Sequence, residues 1–150
     1  MSVITLTYNN WRLLERAINS VDSQVVDERY EVEYIIVDDG TKDFNIKDVE
    51  SILLTTSLNY KIVVNESNLG TVASFNKAIK FSQGDIIIPL AADDEFYNDN
   101  VVNEISNSFE DNNVDILTTF RVPIVNGEEG PSLPDARKFD YLTVIVMLSC

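Results

Sequence analysis

Short apolar runs alternate along the chain with amphipathic segments. The apolar runs are typical of buried strands, and they cover residues 2–7, 32–37, 60–64, 86–90 and 114–119. Between them, apolar residues recur at helical spacing, which predicts helices over 11–23, around 46–53, over 71–82 and over 100–112. Strands that alternate with helices of this length favour βαβ units in a mostly parallel α/β sheet. The chain of 150 residues is long enough for one domain with its own core.

The helical spacing also predicts which side chains face the core. Asn9 or Asn10 is a suitable N-cap for the first helix. The residues expected to point inward are Leu14, Ala17, Ile18 and Val21 in the first helix, Ile46, Val49, Ile52 and Leu53 in the second, Val72, Phe75 and Ile79 in the third, and Val102, Ile105 and Phe109 in the fourth.

The pattern weakens after Phe120. Residues 125–135 are rich in Gly, Pro and acidic side chains and are interpreted as a loop, and residues 141–150 form an apolar decamer without a turn signal after it. A terminal hydrophobic run leaves an aggregation-prone edge, so we expect a C-terminally truncated domain. The alternative is a natural C-terminal strand buried at a sheet edge.

Composition and charge exclude several classes of function. The chain has a net charge of −14, which disfavours nucleic acid and anionic membranes as partners. It has no histidine, so zinc sites built on His and Ser-His or Cys-His nucleophiles are excluded. Cys150 is the only cysteine of the sequence and we expect no secretory leader, which fits a reducing compartment. No window reaches the ~20 apolar residues of a transmembrane segment.

Three polar loops follow predicted strands and therefore meet at one edge of a parallel sheet. They are residues 7–10, 38–41 and 91–95. In the last loop Asp93 and Asp94 offer hard oxygen ligands for a divalent cation that could hold a phosphate. The alternative is a solvated acidic loop.

The other two loops offer groups that could bind a nucleobase. A carboxylate can accept the ring N–H of uracil, thymine or guanine, and the Tyr8 ring can stack on a base. The three loops together suggest a nucleoside diphosphate that carries a further group. Simpler explanations remain: Asp38-Asp39-Gly40 as a turn, Tyr8 as a packing residue, residues 68–70 as a loop with positive φ, and Asn76 as a hydrogen-bonding partner of a neighbouring loop.

Three stretches carry a resemblance to a known family. They are SVITLTYNN at 2–10, IIVDDGTKD at 35–43 and NLGTVASFNKAIKFSQGDIIIPLAADD at 68–94. In order and spacing they resemble the family-2 inverting glycosyltransferases of GT-A fold, such as bacterial enzymes of polysaccharide biosynthesis. The resemblance implies a Rossmann-like, mostly parallel sheet flanked by helices. It also implies that residues 1–150 are a nucleotide-sugar-binding domain without its acceptor-binding part.

The resemblance also implies roles for individual residues. Mn²⁺ or Mg²⁺ is expected on Asp93, with Asp94 in support, although Ala91 stands where the family has the first acid of its Asp-x-Asp motif. Leu6 replaces a usual proline. The residues expected to bind the nucleotide-sugar are Thr7, Tyr8 and Asn9 in the pocket, Asp39 at the uracil ring with Asp38 beside it, and Asn68, Gly70 and Asn76 in the segment that closes over the donor.

The implied reaction is sugar transfer from a UDP- or dTDP-linked donor to a hydroxyl of a glycan or lipid-linked acceptor, with inversion. The general base is expected beyond residue 150. The implied location is the cytoplasm, free or peripheral to the inner face of the membrane.

A non-catalytic module whose metal site has decayed at Ala91 is the alternative. A dinucleotide-binding oxidoreductase is disfavoured because Gly-x-Gly-x-x-Gly is missing after the first strand, and a receiver domain because its paired acids would follow strand one.

Overall fold

The predicted parallel sheet is confirmed in the computed structural model, which describes residues 1–135 and the backbone of 146–149. The sheet has the strand order β3-β2-β1-β4, and every pair of neighbours is parallel. Its strands are β1 (Ser2–Thr7), β2 (Glu33–Asp38), β3 (Asn59–Val64) and β4 (Ile87–Pro89). The helices are α1 (Leu14–Asp22), α2 (Ile46–Leu53), α3 (Thr71–Phe81) and α4 (Val101–Asn112), and a 3-10 turn (Trp11–Leu13) precedes α1.

The sheet lies between two layers of helices, because successive side chains of its buried strands point to opposite faces of the sheet. In β2, Tyr34 and Ile36 belong to the larger apolar cluster with residues of α1, α2 and α4. Ile35 and Val37 belong to a smaller cluster with Ala78 of α3. This alternation is the period-two pattern of a strand buried on both faces.

The predicted inward faces of α1 and α4 are confirmed. Every residue predicted for α1 is buried, and so are Val102 and Ile105 of α4, while Phe109 packs partly buried against the same cluster. In α2, Val49 and Leu53 are buried, whereas Ile46 is exposed at the first residue of the helix.

The predicted inward face of α3 is wrong in part. Val72 is 75% exposed and Ile79 is 40% exposed, whereas Ser74 and Ala78 are fully buried and Phe75 packs against the smaller cluster. The helix is rotated because the small side chains of Ser74 and Ala78 lie against the sheet, and the Ser74 hydroxyl finds a buried acceptor there. The apolar period alone could not show this polar contact.

The predicted strand over residues 114–119 is also wrong. Ile116 in that segment is 83% exposed, and the strand begins later, as β6 (Phe120–Val125). A hairpin then leads to β7 (Glu128–Glu129), with Asn126 and Gly127 both at positive φ between the strands. Positive φ at two successive residues is what a tight hairpin turn requires, so this part of the predicted 125–135 loop is a hairpin.

A second sheet combines β6 and β7 with two further strands, β5 (Asp94–Phe96) and β8 (Val146–Ser149), in the order β5-β8-β6-β7. Strand β8 is antiparallel to β5 and parallel to β6, so this part of the predicted apolar decamer is paired on both sides. Residues 141–145 and 150 lie outside the described residues. Within the described residues, no helix has the length and apolar character needed to cross a membrane.

Candidate functional site

The ends of β1, β2 and β3 are joined by backbone hydrogen bonds at the carboxyl edge of the sheet. The Asp39 N–H donates to the Thr7 carbonyl at 2.8 Å, and the Asn65 N–H donates to the Asp38 carbonyl at 2.9 Å. Strand β4 pairs with the other side of β1. The three loops predicted to meet at this edge therefore follow neighbouring strands, and the loop of residues 65–70 joins them.

The first loop presents an aromatic ring above a hydrogen-bonded turn. The Thr7 hydroxyl is buried and donates to Asn10 Oδ1 at 2.9 Å, which also accepts from the Tyr8 N–H at 3.0 Å. Asn9 has a φ of +61°, and its N–H donates to Thr41 Oγ1 at 2.8 Å. Thr7, Asn9 and Asn10 thus fix the loop, while the 48% exposed Tyr8 ring is available to stack on a ligand.

Asp38 and Asp39 are both buried, but they do different things. Asp38 Oδ2 accepts from the N–H groups of Gly40 at 3.1 Å and Thr41 at 2.8 Å, so this side chain shapes the turn. Its Oδ1 is buried and has no hydrogen-bond partner among the described residues. The interpretation of the triplet as a turn therefore fits Asp38.

Asp39 binds the loop of residues 65–70 and the start of α3. Its Oδ1 accepts from Asn65 Nδ2 at 2.9 Å, the Leu69 N–H at 2.8 Å and Ser74 Oγ at 2.7 Å. Its Oδ2 accepts from the Gly70 N–H at 2.9 Å. The carboxylate therefore lies at the N-terminus of a helix, where the helix dipole favours a negative charge.

The hydrogen bonds keep Asp39 ionised. Burial raises the pKa of its carboxyl, but the bonds from Leu69, Ser74, Asn65 and Gly70 outweigh burial and hold that pKa below its usual value. A lowered pKa in the folded state adds stability above the unfolded pKa of about 3.9. That stability is lost as the pH falls through the lower, folded-state pKa.

Replacing Asp39 with Asn should therefore change how unfolding depends on pH. The amide cannot accept all four bonds, so we expect a loss of roughly 2–4 kcal/mol at neutral pH. Urea unfolding of both proteins should show this difference above about pH 4 and a smaller one in more acidic buffer. The exposed Asp111→Asn variant of α4 is the control. A difference between Asp39→Asn and the native protein that does not change with pH would contradict the assignment.

Gly40 allows the loop of residues 65–70 to pack on the end of β2. Its φ is +80°, and a Cβ at this position would lie 2.4 Å from the carbonyl carbon of Ser67. Gly70 has a φ of +83° in open space, and its N–H also donates to Asn68 Oδ1 at 3.0 Å. The interpretation of residues 68–70 as a positive-φ loop is thus confirmed, and Asn76 is exposed on α3.

The two neighbouring acids in the loop after β4, Asp93 and Asp94, differ in their exposure. Asp93 is partly exposed in the turn, whereas Asp94 is buried and begins β5. The Asp94 N–H closes the turn by donating to the Ala91 carbonyl at 3.1 Å. Glu95 forms a salt bridge with Arg16 at 2.8 Å. Asp93 is therefore the acid of this loop best placed to meet a ligand.

The Asp93 carboxylate suits a hard cation whose other ligands include a phosphate. No group of three Asp, Glu, His or Cys side chains able to hold a metal occurs in the part of the chain that the structure describes. Mg²⁺ is commonly bound through one or two carboxylates together with substrate phosphates. A single accessible carboxylate at Asp93 fits that mode of binding.

Sequence reasoning missed the residues that hold Asp39 in place. Asn65 directly follows β3, the same position that Asp39 has after β2, so the topology could have indicated it. Ser74 gave no such signal, because its contact with Asp39 depends on the rotation of α3. The same holds for Lys77 of α3, which donates to Asn65 Oδ1. Asn10, one of the two residues expected as the N-cap, does precede the 3-10 turn, but its side chain accepts from Thr7 and Tyr8 rather than from the N–H groups of the turn.

Comparison with known proteins establishes the family. Residues 2–143 match the family model described as Glycosyl transferase family 2. The chain belongs to glycosyl transferase family 2. The predicted resemblance is thereby confirmed.

Relatives of this family-2 chain include uncharacterized glycosyltransferases of Nostoc sp. and Haemophilus influenzae. The Nostoc protein is 36% identical over 63% of this chain and 28% of its own length. The Haemophilus protein is 26% identical over 97% of this chain and 56% of its own length. The chain thus spans between about a quarter and somewhat over half of these relatives.

Solved structures confirm the fold of the family. S. aureus TarS 1-349 in complex with UDP matches with a TM-score of 0.67 and 26% identity over 87% of this chain and 37% of that one. The same TarS fragment with UDP-GlcNAc gives the same TM-score and identity. A mannosyltransferase from Pyrobaculum calidifontis, in complex with GDP-Man and Mn²⁺, has a TM-score of 0.67 at 19% identity over 82% of this chain and 34% of that one, which bears on the fold alone. The expected GT-A fold is confirmed.

Proposed function

We propose that this chain is the donor-binding part of a glycosyltransferase. The whole enzyme transfers a sugar from a nucleoside-diphosphate donor, UDP- or dTDP-linked, to a hydroxyl of a glycan or lipid-linked acceptor, with inversion at the anomeric carbon. The observation that carries the proposal is the joining of the β1, β2 and β3 loops at the sheet edge, with Asp93 following the adjacent strand. Ligands of open α/β sheets bind at this edge.

The nucleoside half of the donor would lie between the first two loops. Tyr8 offers an exposed ring for stacking on the base. Asp39 would accept the ring N–H of uracil or thymine, and within residues 1–135 its Oδ2 has one donor where two can be accepted. Asn68, Gly70 and Asn76 would close over the sugar. The complexes of TarS with UDP and UDP-GlcNAc support this choice of donor.

The diphosphate half would lie at the loop after β4. Asp93 would hold Mn²⁺ or Mg²⁺, and the buried Asp94 would support the turn rather than face the ligand. A divalent cation supplies Lewis-acid stabilisation of the charge on a departing diphosphate. The chain carries a net charge of −14, so an anionic donor also needs this cation to offset repulsion.

In this proposal, a group outside residues 1–150 deprotonates the acceptor hydroxyl. An inverting transfer needs a general base on the side of the sugar opposite the leaving group. Glu128 and Glu129 form β7 of the hairpin in the second sheet and Asp135 follows it, and we assign none of the acidic residues at 128–140 as that base. We place the whole enzyme in the cytoplasm, free or at the inner face of the membrane.

A second candidate is a non-catalytic nucleotide-sugar-binding module. It is favoured by Ala91, which is exposed at the position where the resemblance expects an acid. Such a module would keep the base site and bind the diphosphate without a cation.

A thermal-shift panel of UDP, dTDP, GDP and CDP, each with and without Mn²⁺, tests both candidates. A ligand present at about one hundred times its Kd stabilises the protein by about 2.7 kcal/mol. This raises Tm by roughly 5–10 °C in a domain of this size. We expect this rise with UDP or dTDP only when Mn²⁺ is present, and a smaller one with CDP. A rise that is independent of Mn²⁺ would favour the non-catalytic module, and no rise with any nucleotide would overturn the proposed function.

A further inference from the structure

A buried hydrogen-bonded network links α3 to Asp39. Lys77 Nζ donates to Asn65 Oδ1 at 2.6 Å, and Asn65 Nδ2 donates to Asp39 Oδ1 at 2.9 Å and to Ser74 Oγ at 2.8 Å. The Ser74 hydroxyl in turn donates to Asp39 Oδ1 at 2.7 Å. Asn65, Ser74 and Asp39 are all buried, and Lys77 is half-buried.

The chemistry of the donors gives this network one direction. A lysine ammonium can only donate, so the acceptor oxygen of Asn65 must face Lys77. The NH₂ group of Asn65 must then face Asp39 and Ser74. With one acceptor occupied by Asn65, the Ser74 hydroxyl directs its own proton to the carboxylate. Every polar atom of the network is therefore used in a single consistent arrangement.

The network divides the two oxygens of Asp39 unequally. Among the described residues, three donors bind Oδ1 and one, the Gly70 N–H, binds Oδ2. A carboxylate offers about four acceptor positions, two on each oxygen. Rotation of the side chain would break the bonds on Oδ1, so Oδ2 keeps both its place and its remaining acceptor position. No salt bridge reaches Asp39 among residues 1–135, and Lys77 is linked to it through hydrogen bonds of Asn65.

We propose that Asn65, Ser74 and Lys77 are positioning residues that orient the Asp39 carboxylate and thereby set the preference for nucleobases with a ring N–H. The inference rests on the proposed function, since it assumes that Asp39 meets the base. It adds that base selectivity depends on α3 residues that do not touch the donor.

Selectivity between UDP and CDP is the measurement that separates positioning from simple support of the fold. Uracil has a ring N–H where cytosine has an acceptor nitrogen, so only UDP gains from a correctly placed Oδ2. For Ser74→Ala we expect the preference for UDP over CDP, measured by calorimetry with Mn²⁺, to fall roughly tenfold, as for the loss of one bond to a charged group. For Lys77→Gln we expect a fall of roughly threefold.

Matched variants control for the change of residue and for folding. Lys80→Gln removes the same charge from an exposed position of α3, and Ser51→Ala removes a hydroxyl from an exposed position of α2. Both should keep the native ratio of UDP to CDP affinity. Because Lys77 is only half-buried, Lys77→Gln carries the test if Ser74→Ala fails to fold.

The outcomes distinguish this inference from the proposed function. A lower ratio in Ser74→Ala or Lys77→Gln, with the ratio kept in the controls, supports positioning. An unchanged ratio in a native protein that binds UDP overturns the positioning role and leaves the proposed function standing. Failure of the native protein to bind any nucleotide with Mn²⁺ overturns the proposed function itself.

Discussion

Asp93→Ala should abolish the gain in UDP affinity that Mn²⁺ produces. Asp93 is partly exposed in the turn after β4, whereas in β5 Asp94 is buried and Glu95 forms a salt bridge with Arg16. Loss of groups that merely orient metal ligands costs 10–100-fold in affinity, so loss of the ligand itself should weaken binding with Mn²⁺ by at least about tenfold. Calorimetric titration of UDP with and without Mn²⁺ measures this effect.

The control lies at the other end of the same strand. Asp85 is exposed just before β4, so Asp85→Asn removes one negative charge without touching the carboxyl edge of the sheet. This variant should keep the dependence on Mn²⁺, which excludes a general effect of net charge. An Asp93→Ala protein that binds UDP with Mn²⁺ as tightly as the native protein would show that the cation is held elsewhere.

Gly40→Ala should be among the most destabilising single substitutions in the chain. A residue with a side chain costs about 1–2 kcal/mol in a left-handed conformation, and here the new Cβ would also lie 2.4 Å from backbone of Ser67. Relief of that overlap should cost about 1–3 kcal/mol more. We expect a total of roughly 2–5 kcal/mol in urea unfolding, a large share of the total stability of a domain.

Gly127→Ala separates the two contributions. Gly127 has a φ of +81°, but nothing lies within 4 Å of the position of its Cβ. This variant should lose only the conformational part, about 1–2 kcal/mol. Equal losses in the two variants would mean that the loop of residues 65–70 moves away from Gly40 at no cost, and UDP affinity would then report whether that loop is needed for the donor.

The parallel sheet could be predicted from the sequence because its signals are local. Each of β1 to β4 is an apolar run, and each is followed by an amphipathic segment or a polar loop. Topology then places the loop ends together, since the carboxyl ends of parallel strands share one edge. The positions of Thr7, Asp39 and Asp93 at that edge follow from this rule.

What could not be predicted depends on contacts between distant parts of the chain. The rotation of α3 is set by a hydroxyl at Ser74 that binds Asp39, and apolar periodicity assigns no weight to a serine. The strand expected over residues 114–119 begins instead at Phe120, where pairing with β8 is available. Short strands such as β5 have too few residues for a pattern and exist only because a partner lies beside them.

The roles of the two neighbouring acids at the end of β2 show a similar limit. The sequence could place Asp38 and Asp39 at the carboxyl edge of the sheet, where the candidate site lies. It could not show that Asp38 binds its own turn while Asp39 binds the start of α3. That division depends on bond directions within a few ångströms, which only the folded chain defines.

The pairing of β5 with β8 has a consequence for the order in which the site assembles. The edge that we propose to bind the base is built from βαβ units whose parts are close along the chain, whereas the strand that follows Asp93 is paired with residues near position 149. Long-range pairings form late in folding, because a long loop must close before they gain any contact energy. During synthesis on a ribosome, the edge formed by β1 and β2 should therefore take shape while the turn that holds Asp93 still awaits its partner strand.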